Sequence, residues 1–537
     1  MMYRNFLSAV TLIAIPFSAS AEMGEIVPEV NFLTWPAAKY SHYSESSNYV
    51  AEQWEKLGLK VNMNPEAFPN PMLSLWFKEH KFDAVLSSLS GNPLQLEPDF
   101  FTNAQFNTGN AAPGNWNVGE YSNPKVDELG EKQLGIYDPE ERRKVIYALQ
   151  EELYNDPPEA IIAYAISTHA INSDNMEIVG FEPSPEGIRS NTNIMRMKSK
   201  HDGPVRIGWT VDYTTLNPLV ASTNEDLSNL ALVYDKLVVL APDGSPQMWL
   251  ADGINVVDDV TVDVTLRSGH TFSDGEPVTA EDVKFSFDYM KEWESAYFTK
   301  YLEKVKSVKI TGDNTVRFTL TEPYAPFVMN TLGQVYVLPA HIWGGLVEDL
   351  GIEKPQDFSN NQPIGSGPYT VKYRKEGQEM YLSARPDHFA KPMSDILSIV
   401  YGSAEVVMQS LRKGEIDVSF QPVVPITISE YEALDNIKLY QAKSNGYNSV
   451  RYKITGPVFG SKDLRRALAH AVPYDAIIND IYGGLAAPSG SSIVPVNAFW
   501  HNPELAPPVF DLELARSMLK DAGFTWDDDG RLHFPAN

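Results

Sequence analysis

Short apolar runs alternating with amphipathic, well-capped helices are the feature that most narrows the fold of this 537-residue chain. Residues 31–35, 59–62 and 82–86 read as strands. Between them, residues 44–57 read as a helix with Val50, Trp54 and Leu57 on one face and Gly58 as its stop. A shorter helix at 73–80 carries Trp76 and Phe77 inward. Asp138-Pro139-Glu140-Glu141 opens a further helix: an Asp N-cap, proline at the first position, acids in the first turn. That helix runs to about Tyr154 and buries Val145, Ile146, Leu149 and Leu153, before a buried strand at 160–164. Strand and helix alternating at this spacing make an α/β layer.

Further along, residues 260–267 read as a strand and 305–320 as a hairpin turning at Gly312-Asp313-Asn314. Helices follow at 463–471 and 511–522, the second with Asp511 as N-cap and Gly523 past its end. A turn at Asp528-Asp529-Gly530 leads into a strand at 531–534, which is expected to stop in mid-sheet. The polar stretch 199–204, containing Gly203, is the best internal linker.

With 43% hydrophobic and 21% charged residues, the chain has material for more than one core. It has no cysteine, which excludes disulfides, thiolate catalysis and Cys-ligated metals. A net charge of −27 argues against nucleic acid, whose phosphates need clustered cations, and reads as a solvated surface. Residues 1–21 combine Arg4, an apolar run at 6–17 and Ala19-Ser20-Ala21, the pattern of a cleavable secretion signal. An exported, periplasmic protein is expected. Neither G-x-S-x-G, H-E-x-x-H nor G-x-x-x-x-G-K-[ST] occurs, and the ten histidines are scattered singly in sequence. No enzyme activity, metal or cofactor is therefore expected.

Several segments carry a family resemblance. Thr265-Leu-Arg-Ser-Gly269 and Phe272-Ser-Asp-Gly-Glu-Pro-Val-Thr-Ala-Glu-Asp-Val-Lys-Phe-Ser286 are the most specific. Ile364-Gly-Ser-Gly-Pro-Tyr369, Gly414-Glu-Ile-Asp417 and Asp463-Leu-Arg-Arg-Ala-Leu-Ala-His-Ala471 accompany them. Leu57-Gly-Leu-Lys-Val61, His80-Lys-Phe-Asp-Ala-Val85 and Tyr121-Ser-Asn-Pro-Lys-Val-Asp127 belong to the same pattern. Together they resemble the extracellular solute-binding proteins of family 5, the oligopeptide- and dipeptide-binding type. The motifs are mostly scaffold: Thr279-Ala-Glu-Asp282, for example, is a helix capping box.

The resemblance implies an α/β, two-lobed periplasmic-binding-protein (Venus-flytrap) fold of the large oligopeptide-binding type, here circularly permuted. In the family, the block resembling 203–537 precedes the block resembling 25–200, whereas in this chain it follows. The expected organisation is a signal peptide at 1–21, the second half of lobe II at 22–160, and the closing segment of lobe I at 161–198. Residues 199–203 then link the original termini, 204–450 form the main part of lobe I, and 451–537 the first half of lobe II. Crossing strands are expected near 448–452 and 160–164.

The implied function is that of a monomeric receptor for an ABC importer, closing on a small ligand and presenting it to the membrane permease. A sensor partner in place of the permease and a secreted hydrolase built on the same cleft are the other readings, the absence of a nucleophile motif weighing against the second. Ligand-binding candidates are Tyr213, Thr214, Trp343, Tyr447, Asn448, Trp500, Trp35, Leu89, Ser90 and Asn92. Aromatic side chains suit such a cleft because they bury large areas while tolerating varied ligands. Peptide-binding relatives often place a Trp and then an Asp after the strand resembling 82–86; here Leu89 and Asn92 occupy those positions. Asn supplies no countercharge for an α-ammonium group, and Asp99 or Glu97 would replace it only in a different loop. An oligopeptide and a neutral solute such as an oligosaccharide both remain open as ligands.

Overall fold

The computed structural model describes residues 23–89, 97–184 and 187–536; the expected secretion signal lies outside them. Two hydrophobic cores organise the chain. One draws on residues between Ile171 and Tyr440; the other combines Val27–Leu86 with Ala160–Ala163 and with Val450–Leu532. We call the bodies around them lobe I and lobe II.

A single hydrogen-bonded sheet of twelve strands runs through both. In lobe II, Val30–Thr34 lies parallel to both Val61–Pro65 and Ala84–Ser88. In lobe I, Val205–Trp209 lies parallel to Ile396–Val400 and Val418–Ser419. The lobes are joined by the strand Glu159–Asn172, longer than the 160–164 expected, and by Ile437–Lys443 with Asn448–Tyr452. Residues Glu159–Ala163 pair with Asn448–Arg451 in lobe II, and Ile166–Asn172 pair with Ile437–Lys443 in lobe I. The crossing therefore falls near Ala165 and Ser444, where Ser444 N–H donates to Ala165 C=O at 2.8 Å. A four-stranded antiparallel sheet (Ala251–Asp258, Thr261–Leu266, Thr315–Leu320, Val305–Gly312) extends lobe I. The helix Ala280–Glu292 packs on it through Phe287, whose ring centroid lies 4.9 Å from that of Phe318.

The local signals in the sequence have direct physical counterparts. Asp138 caps Pro139–Asn155 by accepting from Glu141 N–H at 2.9 Å, and Asp511 caps Leu512–Asp521 through Leu514 N–H at 2.9 Å. Thr279 and Asp282 complete their capping box. Gly58 adopts φ +93°, and a Cβ there would lie 2.4 Å from the Gly530 carbonyl.

The end of the chain differs from expectation. The strand is only Leu532–His533, paired with Thr525–Trp526 in a ribbon of its own and not inserted in the main sheet. The reason is that its backbone groups are already used: Leu532 N–H donates to Gly58 C=O, its carbonyl accepts from Val27, and Phe534 N–H donates to Glu25 C=O. Residues 24–27 and 532–534 thus lie side by side, with Ile26 bridging His533. In lobe I, Met197–Ser199 and Val205–Trp209 are separated by five residues in which His201 Nε2 sits 3.2 Å from the buried Asp417.

Candidate ligand-binding cleft

Parallel strands place loops at their carboxyl ends, where α/β folds bind ligands. In lobe I those ends are Trp209 and, just past Val418–Ser419, Phe420, with ring centroids 5.9 Å apart at 75°. They open onto a cavity of about 500 Å³, within the ~300–1,000 Å³ typical of small-ligand sites. His169 and Ser167 of the long strand form one wall, Arg189 another, and Tyr297 and Tyr336 a third. Burial and then the charge of Arg189 hold the His169 imidazole down at about 4, so it is neutral at pH 7. The Arg189 guanidinium carbon lies 5.5 Å from the Trp209 ring centroid.

The cavity is lined by lobe I and the crossing strands, and the candidates of lobe II stand at strand ends of their own. Trp35 follows Val30–Thr34, donates its indole N–H to Leu86 C=O at 2.9 Å, and packs against Tyr40, Tyr43 and Phe68. Tyr43 bonds Ser88 at 2.8 Å, and Asn448 Nδ2 donates to Tyr482 at 2.7 Å. Leu89, Tyr447 and Trp500 share one buried cluster. Tyr447 O–H donates to Glu159 at 2.7 Å; burial, then the neighbouring carboxylate, push its phenol well above its usual range. Thus Trp35, Leu89, Tyr447, Asn448 and Trp500 come together on lobe II, mostly as packed or hydrogen-bonded side chains. Ser90 and Asn92 lie outside the described residues.

The lobe I candidates are placed elsewhere, and none lines the cavity. Tyr213 is buried, with the Arg374 guanidinium 4.5 Å from its ring. Thr214 is exposed and bonds Asp226 through its N–H and hydroxyl, at 2.6 and 2.9 Å. Trp343 is buried against Phe358 and Tyr289. The wall residues Arg189 and His169 carry no motif; only their convergence in space distinguishes them.

Hydrogen bonds at two places join the lobes beyond the crossing strands. Trp500 Nε1 donates to Gly244 C=O at 3.1 Å, and Phe499 N–H donates to Asp243 C=O at 2.8 Å. On the other side, Tyr137 O–H donates to Asp259 C=O at 3.1 Å and accepts from Tyr324 N–H at 3.3 Å.

The acids considered as replacements for a ligand countercharge are committed within lobe II. Glu97 is buried in an ion pair with Arg142, and Asp99 accepts from Gln133 and Asn103 at 2.6 and 3.1 Å. Burial and the charge of Glu97 push the Asp99 carboxyl up to about 6.

Histidines scattered in sequence do meet in space. His270 and His388 converge on the buried Asp235, at 2.8 and 3.3 Å. Burial alone would raise the Asp235 carboxyl, but hydrogen bonds from the two imidazoles hold it well below its usual range. His388 Nδ1 accepts from Ala390 N–H at 3.1 Å, so its Nε2 carries the proton and donates to Asp235, leaving no lone pair for a metal. Trp249 adds a third donor at 2.7 Å. The cluster is a hydrogen-bonded knot inside lobe I.

The family model for "Bacterial extracellular solute-binding proteins, family 5 Middle" matches residues 245–536. The chain belongs to this family. Family 5 members are binding proteins. Protein XP55 of Streptomyces lividans is 31% identical to the chain over 324 residues, covering 60% of this chain and 57% of its own length. The oligopeptide-binding protein AppA of Bacillus subtilis is 28% identical over 344 residues, covering 62% and 61%. The chain thus spans about three fifths of the length of the curated relatives it matches. HbpA2 from Haemophilus parasuis superposes with a TM-score of 0.51 at 21% identity, over 59% of this chain and 66% of that one, a likeness of fold. Family 5 membership and this fold agree with two α/β lobes around a cleft. No helix among the described residues is long and apolar enough to cross a membrane.

Proposed function

We propose that this family 5 protein is the exported, periplasmic solute receptor of an ABC importer, taking up an oligopeptide between its lobes and handing it to the permease. The observation that carries the reading is the pairing of a roughly 500 Å³ cavity at strand carboxyl ends with lobes joined through two crossing strands. Such a construction suits hinge closure on a ligand. The name of the AppA relative, an oligopeptide-binding protein, favours peptide as cargo. We also read the chain as a circular permutant of the family order. The adjacency of residues 24–27 to 532–534, and the five-residue connection before Val205–Trp209, support this.

The test is a thermal-shift screen of the mature chain against peptide pools, oligosaccharides and divalent metals. A ligand at about 100 times its Kd adds roughly 2.7 kcal/mol, a readily seen shift. A shift with peptides alone is expected. A shift with oligosaccharides alone, or turnover of any ligand, overturns the reading.

A further inference from the structure

We propose that a second pocket, in lobe II, takes a small aromatic carboxylate, with the ring among apolar walls and the carboxylate on Arg466. The site is separate from the lobe I cavity and goes beyond the receptor reading.

The pocket has a volume of about 140 Å³ and shares no lining residue with the lobe I cavity. A dry apolar cavity of ~150 Å³ accommodates benzene, so a single ring is the occupant this volume admits. Leu153, Pro157, Pro158, Tyr474 and Met518 supply its apolar surface. Its buried polar lining is committed to the protein itself. Gln150 donates to Trp500 C=O at 2.8 Å and accepts from Ser491 Oγ at 2.7 Å. Ser489 donates to Ser491 C=O and Ser492 to Phe101 C=O, both at 2.7 Å. Glu159 is held by Tyr447, Ser449 and Arg451.

One cation stands apart from these networks. Arg465 is buried and engaged, with Asp156 and with the carbonyls of Pro157, Phe459 and Gly460. Its neighbour Arg466 lines the pocket, is exposed, and has no ion pair or hydrogen bond among the described residues. Four residues on, His470 lines the same pocket, its ring fixed by donating Nδ1–H to Val509 C=O at 2.9 Å. In a chain of net charge −27 a free cation beside an apolar recess is a local exception. A guanidinium there selects a planar anion.

The surface beside the pocket is apolar too. Val509, Phe510 and Leu514 are exposed; Val509 follows Pro508 of the wall, and Leu514 precedes Met518 by one turn of its helix. Exposed apolar residues gathered in one place mark a binding surface. A sugar would bring hydroxyls against walls whose buried polar groups are already used, and an amine would meet the charge of Arg466. An aromatic ring bearing a carboxylate suits both the walls and the cation.

The experiment is an NMR titration of the full mature chain, labelled at its methionine methyl groups. Met518 lines this pocket whereas Met195 and Met329 line the lobe I cavity, so their signals report the two sites separately. Met518→Leu, Met195→Leu and Met329→Leu assign them. The probe is phenylacetate, with phenylacetamide as its neutral counterpart, at up to about 5 mM, the range in which so small a ligand binds. Phenylacetate should shift the Met518 signal and leave Met195 and Met329 in place, and the amide should bind at least ten-fold more weakly. Arg466→Met, altered at an exposed side chain, should melt as the wild type does and bind acid and amide equally; Arg466→Lys should keep part of the preference. A shift at Met195 or Met329 without one at Met518 overturns the pocket, as does no shift at all. Equal binding of acid and amide by the wild type, or an undiminished preference in Arg466→Met, overturns it as well. No peptide enters the titration, so each of these results leaves the receptor reading standing.

Discussion

Glu159 and Arg451 face each other across the two crossing strands at 3.1 Å, with each side chain only 3% exposed. The same carboxylate accepts from Tyr447 and Ser449, at 2.7 and 2.6 Å. The strands that join the lobes are thereby pinned in register on their lobe II side, where a hinge needs a fixed base. Arg451→Met would leave that carboxylate buried without its cation. A loss of about 3 kcal/mol in urea unfolding is expected. The double variant Glu159→Gln/Arg451→Met, with no stranded charge, should lose less than half as much.

Tyr137 packs its ring against the lobe I core and reaches that lobe through two hydrogen bonds of its hydroxyl, which a phenylalanine would lack. Tyr137→Phe should weaken ligand binding about five-fold, the worth of roughly 1 kcal/mol of closed-state stabilisation. The melting temperature without ligand should stay within a degree. Titration calorimetry beside a melting curve separates the two effects.

Asp99 should give a measurable pH signature. Its carboxyl titrates at about 6 in the folded chain against an ordinary value of 3.8, so the native state holds a proton that the unfolded chain has already released. Stability therefore falls as pH rises from about 4 to 6, and the cost is complete above that window. Asp99→Asn, which keeps an acceptor for Gln133, should stabilise the protein by about 1 kcal/mol at pH 7.5. The gain should vanish near pH 4.

Two glycines at one contact should respond unequally. Gly530 has φ +77° with open space around a built Cβ, so Gly530→Ala should cost only the left-handed backbone penalty, about 1 kcal/mol. At Gly58 the added carbon would also meet the Gly530 carbonyl, and at least twice that loss is expected. Denaturant midpoints of the two variants decide it.

A rearranged chain tests the permutant reading. It would begin at Gly203, run to residue 536, and continue through a short Gly-Ser link from Gly24 to Ser199. Because Glu25 and Phe534 are hydrogen-bonded neighbours, the link spans little distance. Melting within a few degrees of the original order is expected; an insoluble product counts against the reading.

What could be read in advance was local chemistry. The caps at Asp138, Asp511 and Thr279 and the stop at Gly58 depend on neighbours three or four residues away, so their signals survive in the sequence. The length of Glu159–Asn172 does not, because Thr168 and His169 interrupt an apolar run that is completed by strands nearly three hundred residues away. Likewise Asp235, His270 and His388 meet only in the fold. An aromatic residue gives no sign of which interior it fills. Tyr213 and Trp343 went into the core of lobe I, and the cavity's polar wall came from Arg189 and His169, each isolated in sequence.

The composition of the lobe II core sets an order of events during synthesis. Ala84–Ser88 pairs with Asn448–Tyr452, made at least 360 residues later, and the helices that complete this core follow later still. Contacts so distant along the chain form slowly. The lobe II core can therefore close only when nearly the whole chain has been made.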